Sequence, residues 1–268
     1  MRIMYPMIRL VLILVLALIN APAFAIETTT ASEAVQPMVL QYKGFWGGIE
    51  AANITLSLEE DHQKYQSKFA FESKGLIKKI LRLYSSAENS GTIKNDSPTT
   101  SEFTSTVSKR KKEKKYWWRL DPKTGVARVP DENNEDTEKT IPESMRQHIY
   151  DPLSVLLKAR NLIREARIKN DWSVIKDKIL PVYDGRRRYD ISLQDIAERE
   201  DKVAGQMRKV IDITLSIVPV AGFKSRDADI WQNTKIHAFL SDDDRHIPLR
   251  IQASTPIAPA VIMLQSGL

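Results

Sequence analysis

Val210-Ile-Asp-Ile-Thr-Leu-Ser-Ile217 decides the fold class. Its odd positions Ile211, Ile213, Leu215 and Ile217 are all apolar, and its even positions Asp212, Thr214 and Ser216 are all polar. Side chains along a strand point alternately to two faces, so this stretch reads as a strand buried on one side and wet on the other. One-sided burial marks antiparallel sheets, because parallel strands are covered on both faces and read as continuous apolar runs. Working outward, the same period recurs in Tyr65-Gln-Ser-Lys-Phe-Ala-Phe71, where Tyr65, Phe69 and Phe71 share a face. Weaker alternation marks residues 54–58, 81–85, 189–193 and 236–240, with a closing pair at 249–251 and 260–264. Segments rich in Asp, Asn, Pro, Gly and Lys at 59–61, 94–98, 121–125 and 241–245 separate these runs, and they are short enough for local hairpins.

One segment breaks the rhythm. In residues 151–166 apolar side chains fall at 155, 156, 159, 162, 163 and 166, a single helical stripe. Asp151 is placed to cap this helix, and Pro152 sits at its first position, where a missing N–H costs nothing. An amphipathic helix beside one-sided strands has a ready burial partner. The expected fold is therefore mostly β (α+β), a curled, open-barrel-like antiparallel sheet wrapped around one amphipathic helix. Just before the helix, residues 130–142 are acidic and poor in apolar side chains, and they read as a mobile surface loop.

The N-terminus has the three parts of a secretory signal: Arg2 and Arg9, the apolar run Leu10-Val-Leu-Ile-Leu-Val-Leu-Ala-Leu-Ile19, and small residues at Ala23 and Ala25. That run of about ten residues is half the roughly twenty needed to span a bilayer, so cleavage after Ala25 is expected rather than anchoring. Removing residues 1–25 of the 268 leaves 243, enough for one domain with a substantial core. Residues 26–37 read as a flexible leader, with order beginning near Met38. The chain has no cysteine, so neither a disulfide nor an N-terminal lipid anchored on a thiol is available to it. The formal charge is +6, of which the signal contributes Arg2 and Arg9, leaving a mild excess.

Five stretches occur in a suggestive order behind that signal: Gly44-Phe-Trp-Gly-Gly-Ile-Glu50, Ser73-Lys-Gly-Leu-Ile77, Tyr150-Asp-Pro-Leu-Ser154, Tyr183-Asp-Gly-Arg-Arg-Arg188 and Asp243-Asp-Arg-His-Ile-Pro-Leu-Arg-Ile251. Together they resemble the bacterial exported family known as domain of unknown function 3108 (DUF3108), over almost all of the chain after Met38. The resemblance implies a β-rich cell-envelope protein of Gram-negative bacteria, located in the periplasm, with no assigned activity and no functional residues to transfer.

The chemistry-bearing residues do not assemble into a motif. The four histidines, His62, His148, His237 and His246, lack ligand spacing, and the acids at 242–244 beside His246 read as a solvated hairpin tip. No Gly-x-Ser-x-Gly elbow is present, and Ser154 belongs to the first helical turn. Gly44, Gly47 and Gly48 lack the Gly-Lys-Ser/Thr of a phosphate loop and read as bulge or close-approach positions. Accordingly, no catalytic, metal or cofactor residue is assigned, and a non-enzymatic protein is expected. A hydrolase whose site assembles only in space is the outlying alternative.

Two features are candidates for binding. The first is the run Lys109-Arg-Lys-Lys-Glu-Lys-Lys-Tyr-Trp-Trp-Arg119. Its exposed members would be Lys109, Arg110, Lys111, Lys112, Lys114, Lys115 and Trp117, with Tyr116 and Trp118 facing the core. Export argues against nucleic acid, leaving anionic lipid, lipopolysaccharide, glycan or an acidic envelope protein as partners. Lysines that protect a sheet edge from unwanted pairing are the competing explanation. The second candidate is an apolar groove lined by Tyr42, Trp46, Phe69, Phe71 and Tyr84, suited to an acyl chain. Its rival is a core completely filled by the helix. A protein–protein adaptor working through exposed edges or the acidic loop is the remaining functional class.

Overall fold

A computed structural model describes residues 37–129 and 141–267, leaving out 62, 111, 204, 256 and 257. The export segment, the leader up to residue 36 and the acidic stretch 130–140 lie outside the described residues. The first half of the chain carries β1 (Met38–Trp46), β2 (Ile49–Glu60), β3 (Lys64–Ser73), the short helix α1 (Gly75–Leu81), β4 (Leu83–Lys94), β5 (Ser97–Lys109), β6 (Lys112–Leu120) and β7 (Ala127–Arg128). Helix α2 (Ser154–Lys169) divides the halves. After it come β8 (Ile179–Tyr183), β9 (Arg188–Val203), β10 (Gln206–Ala221), helix α3 (Ser225–Gln232), β11 (Lys235–Ser241), β12 (Pro248–Ser254) and β13 (Ala260–Ser266).

The strands form one sheet in the order β7-β6-β5-β4-β3-β2-β1-β13-β12-β11-β10-β9-β8. All pairings are antiparallel, and the two terminal strands, β1 and β13, meet in the middle of the sheet. Among the described residues no ladder closes the ring. Instead the segment 147–150 spans the gap, through a bridge from Gln147 to Val126 beside β7 and another from Tyr150 to Val182 of β8. Trp118 Nε1 on β6 also donates to the Tyr183 carbonyl of β8 at 3.2 Å. The curled, barrel-like sheet around a helix is thus the fold that forms.

Period-two burial holds where the sequence shows it. Ile211, Ile213 and Ile217 are buried and Leu215 half-buried. Asp212, on the other face, is also covered, because Arg199 and His237 pair with it there. Residues 81–85 do not form one strand: Leu81 ends α1, Arg82 takes a left-handed turn at φ 45°, and β4 starts at Leu83. Helices α1 and α3, of 7 and 8 residues, add to the single helix expected, and neither is long enough to display a helical stripe. At the β1–β2 hairpin, Gly47 and Gly48 both have positive φ and link the paired Trp46 and Ile49. A two-residue turn of this hand needs two such residues.

Gly91 on β4 is required for a different reason. A β-carbon there would lie 2.2 Å from the Thr99 carbonyl oxygen and 2.6 Å from the Tyr65 hydroxyl. We expect Gly91→Ala to lower the unfolding free energy by about 1–3 kcal/mol, as overpacked cores do, read as a lower urea midpoint at unchanged slope.

Candidate functional site

Helix α2 positions everything inside the sheet. Before its first turn, Asp151 is completely buried. One carboxylate oxygen accepts from the Leu153 and Ser154 amides at 2.7 and 3.1 Å, capping the helix as the sequence indicates, although the regular helix begins three residues later. The other oxygen accepts from Asn89 Nδ2 at 2.9 Å and Thr100 Oγ1 at 2.5 Å, on β4 and β5. Tyr65 and Ser154 hydroxyls complete the cluster around Thr100. The helix start is therefore bolted to the inner wall. Burial raises the Tyr65 hydroxyl's pKa, with the Asp151 charge adding to it, so the phenol stays protonated.

The other end of α2 is tied to hairpin turns. Arg160, itself buried, donates to the Arg245 carbonyl at 2.6 Å and pairs with Glu60 at 3.0 Å. Arg164 reaches the Asp244 carbonyl, and Arg167 pairs with Asp242. Asn161 donates to the Asp96 carbonyl at 2.8 Å. Positions 160, 164 and 167 lie on one helical face, which reads the β11–β12 turn.

Between these anchor points, α2 does not fill the space on the β8–β12 side. A cavity of about 90 Å³ remains, lined by Leu156, Ala159, Ile191, Ile213, Ile236 and Ile251 among other apolar residues. All its lining side chains are Val, Leu, Ile, Ala or Pro. Apolar cavities of roughly 150 Å³ stay dry and take up benzene-sized guests, so this space suits a slimmer one.

The groove expected from sequence is elsewhere and is closed. Tyr42, Phe69 and Phe71 belong to the packed core. Trp46 is half-buried at the end of β1, beside a gap of about 20 Å³ that it shares with Phe71. Tyr84 is a correction: β4 places Leu83 and Ser85 inside, so Tyr84 points to the outer face. The rival reading, a filled core, describes that half of the barrel. The cavity residues were visible in the sequence only as ordinary strand alternation, which carries no signal for where packing falls short.

The basic run forms the β5–β6 hairpin. Tyr116 and Trp118 are buried and Trp117 half-buried, so the expected parity holds. Lys112, Lys114 and Lys115 are exposed, as is Arg110 at the tip, while Lys109 is half-buried and Lys111 lies outside the described residues. Among the described residues β7 pairs with Arg119 and Leu120 of β6, and Lys114 and Lys115 lie farther along that strand, where charge discourages strand pairing.

Acid–base groups are scattered. His246 is buried in the β11–β12 turn; burial, with Arg167, Arg164 and Arg160 nearby, holds its pKa below the usual histidine value. His237 contacts Asp212 and Thr214 through the same nitrogen, Nδ1, on the outer face. There Arg199 and Arg250 cover the Phe239 ring, and Arg250 pairs with Asp201. This is an ion-pair lattice sealing an outward-facing aromatic. Among the described residues no group of three or more His, Asp or Glu is placed to hold a metal ion, and no helix is long and apolar enough to cross a membrane.

Comparison with known proteins agrees with the architecture. One similar solved structure is a beta-barrel-like protein of domain of unknown function DUF1849 from Brucella abortus, at 10% identity and TM-score 0.53, covering 87% of this chain and 97% of that one. At that identity the likeness concerns the fold alone. No curated protein matches. The sequence profile of DUF3108, described as a protein of unknown function, matches residues 41–265. That span takes in all five stretches that carried the resemblance, and the chain belongs to the DUF3108 family.

Proposed function

We propose that this chain is an exported, non-enzymatic protein of the Gram-negative cell envelope that holds the end of an acyl or other slim hydrocarbon chain between α2 and strands β8–β12. The observation that carries this is the all-apolar cavity. A hydrocarbon tail is the guest that meets such a lining without leaving a polar group unsatisfied. The signal-like N-terminus supports export. The absence of any recognised catalytic motif in the sequence favours binding over turnover.

Native mass spectrometry of protein purified gently from exporting cells tests this directly, with a lipid-sized additional mass as the expected result. Ala159 borders the cavity on α2 and is half-buried. Ala159→Leu is expected to remove that mass and to abolish uptake of a single-chain fluorescent fatty acid. It should also raise the unfolding free energy of the empty protein by about 0.5–2 kcal/mol, as cavity filling does. A clean unliganded mass from the unaltered protein, with no fatty-acid uptake, would overturn the proposal.

A further inference from the structure

The strand connections fall alternately at the two ends of an antiparallel meander, which sorts the turns by end. The β1–β2 turn, α1 and the β5–β6 turn share one end, and they are contiguous. The Lys74 amide donates to the Ala51 carbonyl at 2.7 Å, joining α1 to β2. The Arg110 amide donates to the Arg82 carbonyl at 3.1 Å, and its guanidinium reaches the Ile80 carbonyl at 3.3 Å, joining the β5–β6 tip to α1.

This rim has an unusual composition. Ile49, Leu76 and Ile80 are 58%, 57% and 39% exposed, although water-facing aliphatic side chains gain nothing there. Around them stand Lys74, Lys78, Lys79, Arg82, Arg110 and Lys112. Glu72 is drawn into a pair with Lys78 at 2.5 Å, which holds its carboxyl below the usual range. The opposite end is mixed in sign: its turns carry Glu59, Asp61, Asp96, Asp242 and Asp244, but Lys94 and Arg245 stand among them, and Arg164 and Arg167 of α2 reach the last two acids. The α1 rim is thus a basic edge tipped by aliphatic side chains.

We infer that the α1 rim is a membrane-docking edge, with the surface of an anionic phospholipid bilayer as its partner. The argument rests on charge complementarity together with exposed aliphatics at the same place. Cations draw the rim to acidic head groups, and short apolar side chains then enter the interface. Edge protection accounts for Lys114 and Lys115 on β6, but not for Leu76, Ile80 or the lysines of α1. With these cations and exposed aliphatics together at the α1 rim, the molecule would sit with α1 down and the α2 end toward water. This surface is separate from the internal cavity, and the inference stands whether or not the cavity holds a lipid.

The cysteine-free chain makes a direct test possible, since Leu76→Cys supplies a single labelling site for a polarity-sensitive fluorophore. With vesicles of phosphatidylcholine containing 30% phosphatidylglycerol, roughly the charge density of an anionic leaflet, the label should shift to the blue. A label at Asp244→Cys should not respond, and neither site should respond to pure phosphatidylcholine. The unlabelled double variant Lys79→Glu/Lys112→Glu should lose more than about tenfold in vesicle affinity, and so should Leu76→Ser/Ile80→Ser, with unfolding midpoints unchanged. Affinity should also fall steeply with added salt. Equal response at both label sites, binding to neutral vesicles, or a response only to an envelope protein fraction would each overturn the inference.

Discussion

Asp151→Ala lowers the unfolding free energy by about 3–5 kcal/mol, in the range of the largest single-residue losses. Among the described residues the carboxylate's hydrogen-bond partners are all neutral, and it is solvated by the Asn89 amide, the Thr100 hydroxyl and two amides at the start of α2. Removing it takes the acceptor from the Asn89 amide and the two backbone amides and leaves Thr100 with only its Ser154 and Tyr65 contacts, and unmet donors in a buried site cost more than a made bond returns. Asp151→Asn is expected to fall only slightly short of alanine. Its oxygen still caps the helix, but its NH₂ then faces the NH₂ of Asn89, donor against donor. Urea unfolding followed by circular dichroism measures both, and a loss below about 1 kcal/mol for the alanine variant would show that α2 is held by packing instead.

Trp118→Ala is expected to cost about 3–5 kcal/mol, typical of a buried Trp or Phe removed to alanine. Its indole is 1% exposed and lies between Phe103 and Tyr183, with ring centroids at 6.2 and 6.4 Å. Those neighbours lie toward opposite ends of the strand order, on β5 and β8, so the indole works across the gap that no ladder among the described residues closes. Trp118→Phe keeps most of the apolar contact and gives up the Nε1 donation to the Tyr183 carbonyl. It should cost about 1–2 kcal/mol. In hydrogen exchange, the alanine variant should lose protection first at Tyr150, whose amide donates to the Pro181 carbonyl, and at Tyr183, whose amide donates to the Tyr150 carbonyl. Uniform loss throughout the sheet would contradict a local role for Trp118 at the seam.

Much of the architecture is legible in the sequence because burial on one face writes itself as period two. Ile211, Ile213 and Ile217 point inward for the same reason that Tyr116 and Trp118 do. The helix is legible because its stripe has a different period and its start carries Asp151 and Pro152. What sequence does not display is where two correctly patterned surfaces fail to fill the space between them. The aromatic residues Tyr42, Phe69 and Phe71 looked like a groove because they are large, and for that reason they leave no groove. The cavity forms instead where α2 offers Ala159 to strands bearing branched aliphatics. Tyr84 belongs outside on the plain alternation of Leu81, Leu83 and Ser85, all buried, and only its aromatic character suggested a groove position. The basic run was visible from the start, but its aliphatic neighbours on α1 come close only through the β3–β4 and β5–β6 connections.

The pairing of β1 with β13 also sets a timetable. Gln41 and Ser266 are hydrogen-bonded partners 225 residues apart, and they lie in the middle of the sheet rather than at its rim. Closing a loop of that length costs about 5 kcal/mol of chain entropy beyond a constant, and every contact across the join must wait for it. Each half can zip its own hairpins quickly, but the two halves become one sheet only when the last strand is delivered. A chain fed out N-terminus first, by ribosome or by export channel, therefore spends its synthesis as an unfinished half-sheet with β1 exposed as a growing edge. Folding should be slow and late, and the join should be its rate-limiting event.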